Sequence, residues 1–291
     1  KELEIGYGYD SSGHSGSATD KVNTPTLWVK SCQTISVQGK CILQLYCEGL
    51  WTRLREQKVI TGISGNQIKT QADKDDTGEY PYSNIFNRTK TPYGLMELII
   101  EGAMGWTLEN TPPNDGIIGT YLPVFEVSQS GSYESAATLL YSLVWMTKEF
   151  LRPKASKTFQ CVYPQDSDAV DETYYSYQQP YFLEHNERYS LLIPNSIVVL
   201  CNQDPTGEWN TAAYPLIVGT AKDQAQIDKY AERIEIYVAG SIDNQTDANK
   251  RAATILSKLK SEILGARVLL PFHDCRVELY DKVEVQDKRG H

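Results

Sequence analysis

The residues of this chain that could carry chemistry are few and poorly spaced for it. The four histidines are His14, His185, His273 and His291, and none has a partner at metal-ligand spacing. His273-Asp274-Cys275 sets three ligand types side by side, but neighbouring strand residues point to opposite faces and rarely share one ion. Gly13-His-Ser-Gly and Gly62-Ile-Ser-Gly lack the Gly-x-Ser-x-Gly spacing of a hydrolase nucleophile turn. Gly62-Ile-Ser-Gly-Asn also lacks the spacing and the strand-to-helix setting of a phosphate loop. Within Gln71 to Tyr82, residues Asp73, Asp75, Thr77 and Gly78 imitate part of a calcium loop. Asn84 stands where the closing glutamate belongs, and no helical pattern flanks the segment. Asp75/Asp76 and Asp168/Asp171 are paired acids in acidic loops, with nothing to set them across a glycosidic bond. Glu184-His-Asn-Glu187 reads as a polar loop. The sequence thus offers no catalytic, cofactor-binding or metal-ligating residue, and no cofactor is expected.

Composition points the same way. The 291 residues suffice for two or three domains, and an apolar fraction of 41% supports a substantial core. A net charge of −9 with no Lys/Arg-rich run argues against a nucleic-acid binder, which needs a basic face. It suits a conduit through which DNA slides without sticking, or simply a soluble surface. Tyrosine, 19 residues against 6 phenylalanines, favours half-exposed strands and surfaces that contact other chains. The six cysteines, at 32, 41, 47, 161, 201 and 275, include no Cys-x-x-Cys and read as buried free thiols, with a Cys32–Cys41 hairpin bridge as the alternative. There is no signal-peptide, transit or long apolar pattern, so no membrane binding is expected.

The elements follow from periodicity. Residues 1–85 read as a β-rich domain entered directly on Leu3-Glu-Ile5, so N-terminal strands are expected to be missing from it. Thr26–Lys30, Thr34–Val37 and Lys40–Cys47 are its short strands, before an amphipathic turn at Leu50, Trp51 and Leu54. Residues 86–170 form an α+β middle domain. One helix opens at Thr91-Pro92, a favourable cap pair. A second runs from Tyr133 to Thr147, capped by Ser130 or Ser132, with Ala136, Leu139, Leu140, Leu143 and Met146 inward. Residues 171–291 form a second β-rich domain. After a linker, Ile234, Ile236 and Val238 alternate with Arg233, Glu235 and Tyr237 as a half-buried strand. A long helix over 244–264 follows, with Ala248, Ala252, Ile255, Leu256, Leu259 and Ile263 on one side and Gly265 as its closing glycine. Cys275 to Gln286 alternates again as a strand.

Glu278-Leu-Tyr-Asp-Lys-Val-Glu-Val-Gln-Asp-Lys-Arg-Gly290, with the alanine-rich helix before it, resembles the end of the bacteriophage tail baseplate hub proteins, related to the late control gene D proteins. Cys47-Glu-Gly-Leu-Trp-Thr-Arg-Leu and Tyr189-Ser-Leu-Leu-Ile-Pro-Asn-Ser-Ile-Val-Val-Leu-Cys201 are similar to earlier segments of that family, so the resemblance runs with gaps from Leu3 to Gly290. It implies an α+β fold of antiparallel β-barrel-like, tail-tube-related domains with a few interspersed helices. It also implies a non-enzymatic structural protein of a phage or prophage tail, assembled in the bacterial cytoplasm. Such a hub would be a homotrimeric ring joining tail tube to tail tip or spike, with DNA passing through its channel and no specific nucleic-acid binding. Assembly contacts are expected on Ile234–Val238, on Val277–Val285 and on the tyrosines from Tyr174 to Tyr189. The alternatives are a carbohydrate-binding or glycan-processing tail module, or a component of a contractile injection or secretion system.

Overall fold

The computed structural model describes residues 1–9, 20–58, 84–110, 112, 114–127, 134–189, 193–204, 206–261, 264–274 and 276–288. The Gly62 and Gln71–Tyr82 readings, His14, His291, Cys275, Ser130 and Ser132 lie outside them.

The chain opens with β1 (Glu2–Leu3), then β2 (Gly6–Tyr9) paired with β3 (Asp20–Asn23). Next comes a long hairpin, β4 (Leu27–Val37) and β5 (Lys40–Glu48), with β1 on the outer side of β4. The two short strands expected over Thr26–Val37 are one continuous strand that bends at an irregularity between Val29 and Ser31. Gln38 (φ 53°) and Gly39 (φ 77°) make a two-residue turn whose twist matches that of the strands. Cys32 faces Leu45 across the hairpin and Cys41 faces Ser36, so the two cannot bridge, and both thiols are free and exposed.

A central core follows. It collects α1 (Leu50–Glu56), α2 (Pro92–Glu97) prolonged by a π-helical turn over Leu98–Ala103, and α3 (Ala136–Val144). Its strands are β6 (Asn84–Asn87) paired with β8 (Val124–Val127), and the sheet β7 (Thr107–Asn110), β10 (Thr158–Val162), β9 (Phe150–Lys154), in that order. Thr91 caps α2 through its hydroxyl, as its place before Pro92 predicts. Ser135 caps α3, accepting from Thr138 N at 3.2 Å, and sends Leu139, Leu140 and Leu143 into the core. Trp28, Trp106, Phe159, Trp51 and Tyr141 form a chain of ring contacts with centroids 4.8–6.2 Å apart.

The remaining elements are β11 (Glu172–Tyr175), β12 (Glu184–Tyr189), β13 (Ser196–Cys201), β14 (Ile217–Lys222), α4 (Gln224–Tyr230), β15 (Ile234–Ala239), α5 (Gln245–Ser261), β16 (Leu264–Leu269) and β17 (Val283–Gln286). They form the sheet β14–β13–β15 and the pairs β11–β17 and β12–β16. The structure departs from the sequence expectation at four places. Gly265 does not close the helix: it lies in β16 opposite Arg188, and α5 ends by Ser261. The linker before β15 contains α4, capped by Asp223. Glu184-His-Asn-Glu187 belongs to a strand, because β16 supplies its backbone partners. Of Cys275–Gln286 only Val283–Gln286 is strand, since Asp281 folds the stretch before it into a turn by accepting from Glu278 N at 2.7 Å. The fold class is α+β, and among the described residues the sheets are open.

α5 lies directly on β14 and β13. Ala248 and Ala252 face the sheet, and Gly219 of β14 lets the helix backbone come so close that a Cβ there would sit 2.2 Å from Ala248 O. Gln245 donates to Val218 O at 2.8 Å and Asn249 accepts from Thr220 N at 3.2 Å, one on each side of that contact.

Candidate assembly surface

The two faces of β13 differ: one is fully buried, and on the other Val198 and Leu200 are half-buried while Ser196 is buried. Ile197, Val199 and Cys201 point under α5, where Tyr237 and Ala239 of β15 and Ile217 and Ala221 of β14 join them. Alternation then dictates the other face. Across it run three rows in register: Val218–Leu200–Val238, Thr220–Val198–Ile236 and Lys222–Ser196–Ile234. Ile234, Ile236 and Val238 are 58–63% exposed. The alternation expected of this strand is present, but its apolar set faces outward and Tyr237 turns in. β15 hydrogen-bonds only to β13, so its outer edge carries no ladder among the described residues. This contiguous stripe of exposed β-branched side chains beside that edge makes the face a candidate contact surface.

The β4–β5 hairpin is a second apolar projection. Ile42 and Tyr46 share one face, Leu43 and Leu45 the other, and all four are exposed. Reading the sequence for assembly strands missed it. The signal is the run Cys41-Ile-Leu-Gln-Leu-Tyr-Cys47, apolar on both faces of an edge strand that, among the described residues, is covered on neither.

The other expected contacts divide. Val283 and Leu279 are exposed. Tyr177 and Tyr181 are exposed as well, but Tyr174 is buried and donates to Asp274 at 3.2 Å. Asp274 is held anionic chiefly by its hydrogen bonds to Arg276, which lower its pKa. Burial and the adjacent Asp274 carboxylate push the Tyr174 phenol well above its ordinary range.

The residues of the chain that could carry chemistry are scattered. Asp168 accepts from Gln165 N within its own turn, whereas Asp171 accepts from Lys282 N and ties the entry of β11 to that of β17. His185 Nε2 lies 3.0 Å from Glu187 Oε1 on the same strand, far along the chain from His273. Among the described residues no three His, Cys, Asp or Glu side chains converge to hold a metal, and no helix is long and apolar enough to cross a membrane.

No protein-family model matches the chain, and no curated protein matches it in sequence. Solved structures do match its fold. The tail protein from Neisseria meningitidis superposes with a TM-score of 0.58 at 12% identity, over 100% of this chain and 78% of that one. The 43 kDa tail protein of prophage MuSo2 from Shewanella oneidensis gives 0.55 at 12% identity, over 100% and 81%. A prophage tail protein from Listeria monocytogenes gives 0.51 at 12% identity, over 98% and 74%. The chain therefore shares the fold of these tail proteins over 98–100% of its length.

Proposed function

We propose that this chain is a structural component of a phage or prophage tail. In this reading it is the baseplate hub, a ring of three copies in the virion tail that joins the tail tube to the tail tip or spike and acts by assembly, not catalysis. The observation that carries the reading is the outward apolar stripe Ile234–Ile236–Val238 beside an unpaired strand edge, in a fold shared with prophage tail proteins. Each copy presents two such surfaces, β15 and the β4–β5 hairpin, at different places on the molecule. A head-to-tail contact between unlike surfaces closes into a ring when the rotation permits, and closure removes the free edges. The acidic composition, net −9, suits a channel lining past which DNA slides.

The test is the molar mass in solution by light scattering across a dilution series. A mass near three chains is expected, and Ile236→Asp and Leu43→Asp should each reduce it to one chain while leaving the circular dichroism spectrum intact. A monomer at every concentration overturns the self-assembling ring.

A further inference from the structure

Glu149 is 2% exposed, yet its side chain has little to hold a charge. It stands just before β9, in the turn from α3, where α5 and the 114–123 segment meet. Its Oε1 accepts one bond, from Asp115 N at 3.0 Å. The neighbouring Asp115 carboxylate takes three main-chain N–H groups: Ile117 and Ile118 at 2.8 Å each, and Lys148 at 2.7 Å. The Asp115 carboxyl lies against Glu149 and, after burial, adds to what disfavours a charge there, so an ionised Glu149 would meet a second acid in the same seam. Lys258 of α5, 5% exposed, offsets that charge only in part. Its ammonium lies 3.4 Å from the centroid of the Phe150 ring and donates to Glu149's main-chain oxygen, not to its carboxylate.

That bond belongs to a series. Arg251, Thr254 and Lys258 share one face of α5 and donate in turn to the carbonyls of Trp145, Met146 and Glu149, along the turn that leaves α3. Ile117, Tyr121 and Met146 add apolar contact to the core beneath α5. The C-terminal sheet is thus docked on the central core through a seam that holds a buried, poorly compensated carboxyl.

We propose that this seam is a proton-operated latch: with Glu149 protonated, α5 stays docked on the α3–β9 turn and the 114–123 segment, and with Glu149 ionised the seam opens and frees the C-terminal sheet to move against the central core. The groups that face Glu149 are Asp115 from the 114–123 segment, Lys258 from α5, and Cys161 and Tyr163 from β10 and its exit, with Lys148 beside it on its own strand approach. Burial raises the Glu149 carboxyl to about 7 and lowers the Lys258 ammonium to about 8, while Cys161 and Tyr163 are both pushed upward, away from neutrality. The sign follows from linkage. The raised carboxyl contributes fully below its ordinary value of 4.5, and that contribution is lost as pH rises through about 7.

Amide hydrogen exchange of the intact protein at about pH 5.5 and about pH 8, corrected for intrinsic rates, tests this. Peptides covering 114–123 and 145–150 should lose roughly tenfold or more of their protection at the higher pH, while the β13 strand should keep its own. Glu149→Gln should hold the seam protected at both values. A native seam equally protected at both overturns the latch, whatever the variant does, and so does a Glu149→Gln seam that keeps the native pH dependence.

Discussion

The two faces of the β14–β13–β15 sheet are built from the same strands and nearly the same residue types, yet only one lies under α5. Under α5, Ile197, Val199 and Cys201 are fully buried. One residue away in sequence, Val198 and Leu200 belong to the open face with Ile234, Ile236 and Val238. Hydrophobicity does not separate the faces. Gly219 and the alanines of α5 do, because only small residues admit a helix this close. The covered face therefore answers to packing, and the open face is free to answer to a partner.

The sharpest way to break this contrast is at the helix–sheet contact. Gly219→Ala places a methyl on the Ala248 carbonyl and lifts α5 from β14. Overpacking against backbone costs about 3 kcal/mol or more, read as a lower denaturant midpoint, and it should expose the covered face as well. A variant as stable as the native chain would mean that α5 slides without cost. Next in size is the pair Ile197→Ala and Ile236→Ala. The first empties a fully buried site and should cost about 3 kcal/mol. The second removes an exposed side chain and should shift monomer stability by less than about 0.5 kcal/mol. Similar losses at both sites would show the open face to be covered within one chain.

What the sequence disclosed follows the same division. Thr91-Pro92 and the Ala248–Ala252–Ile255 stripe are local signals, and the helices stand where those signals put them. The strand Ile234–Ala239 was legible by its period, but period two does not say which side faces in. That is decided by Gly219, whose neighbour Ala248 is 29 residues on. α4 has no buried residue and β12 is mostly polar, so neither carries an apolar pattern to read: Asp223 caps the one and β16 pairs the other. Glu149 was invisible for a similar reason. A glutamate before Phe150-Leu-Arg-Pro looks like surface until Asp115 and Lys258 close over it. Of the candidate contact surface, the β15 stripe was legible and the hairpin was not, since an apolar strand with two open faces reads like one with two covered faces.

The smallest effect sharpens the comparison at the end of β14, where consecutive residues serve opposite faces. Lys222 points to the open side and pairs with the exposed Glu232 at 2.8 Å. Asp223 turns the other way, caps α4 by accepting from Gln226 N at 3.2 Å, and pairs with Lys260 of α5. Exposed pairs contribute little, so Lys222→Met should leave the denaturant midpoint where it is. Asp223→Ala loses a helix cap and should cost about 1 kcal/mol. The two also differ in pH dependence. The Lys260 hydrogen bond, as the larger cause, holds the Asp223 carboxyl below its ordinary value of 3.8. Its contribution is therefore present above that value and lost as pH falls through the lower, folded one. The gap between native and Asp223→Ala midpoints should stay constant from neutrality down to about pH 4 and narrow below it. A gap that persists undiminished in stronger acid would assign the loss to packing of the side chain, and not to its charge.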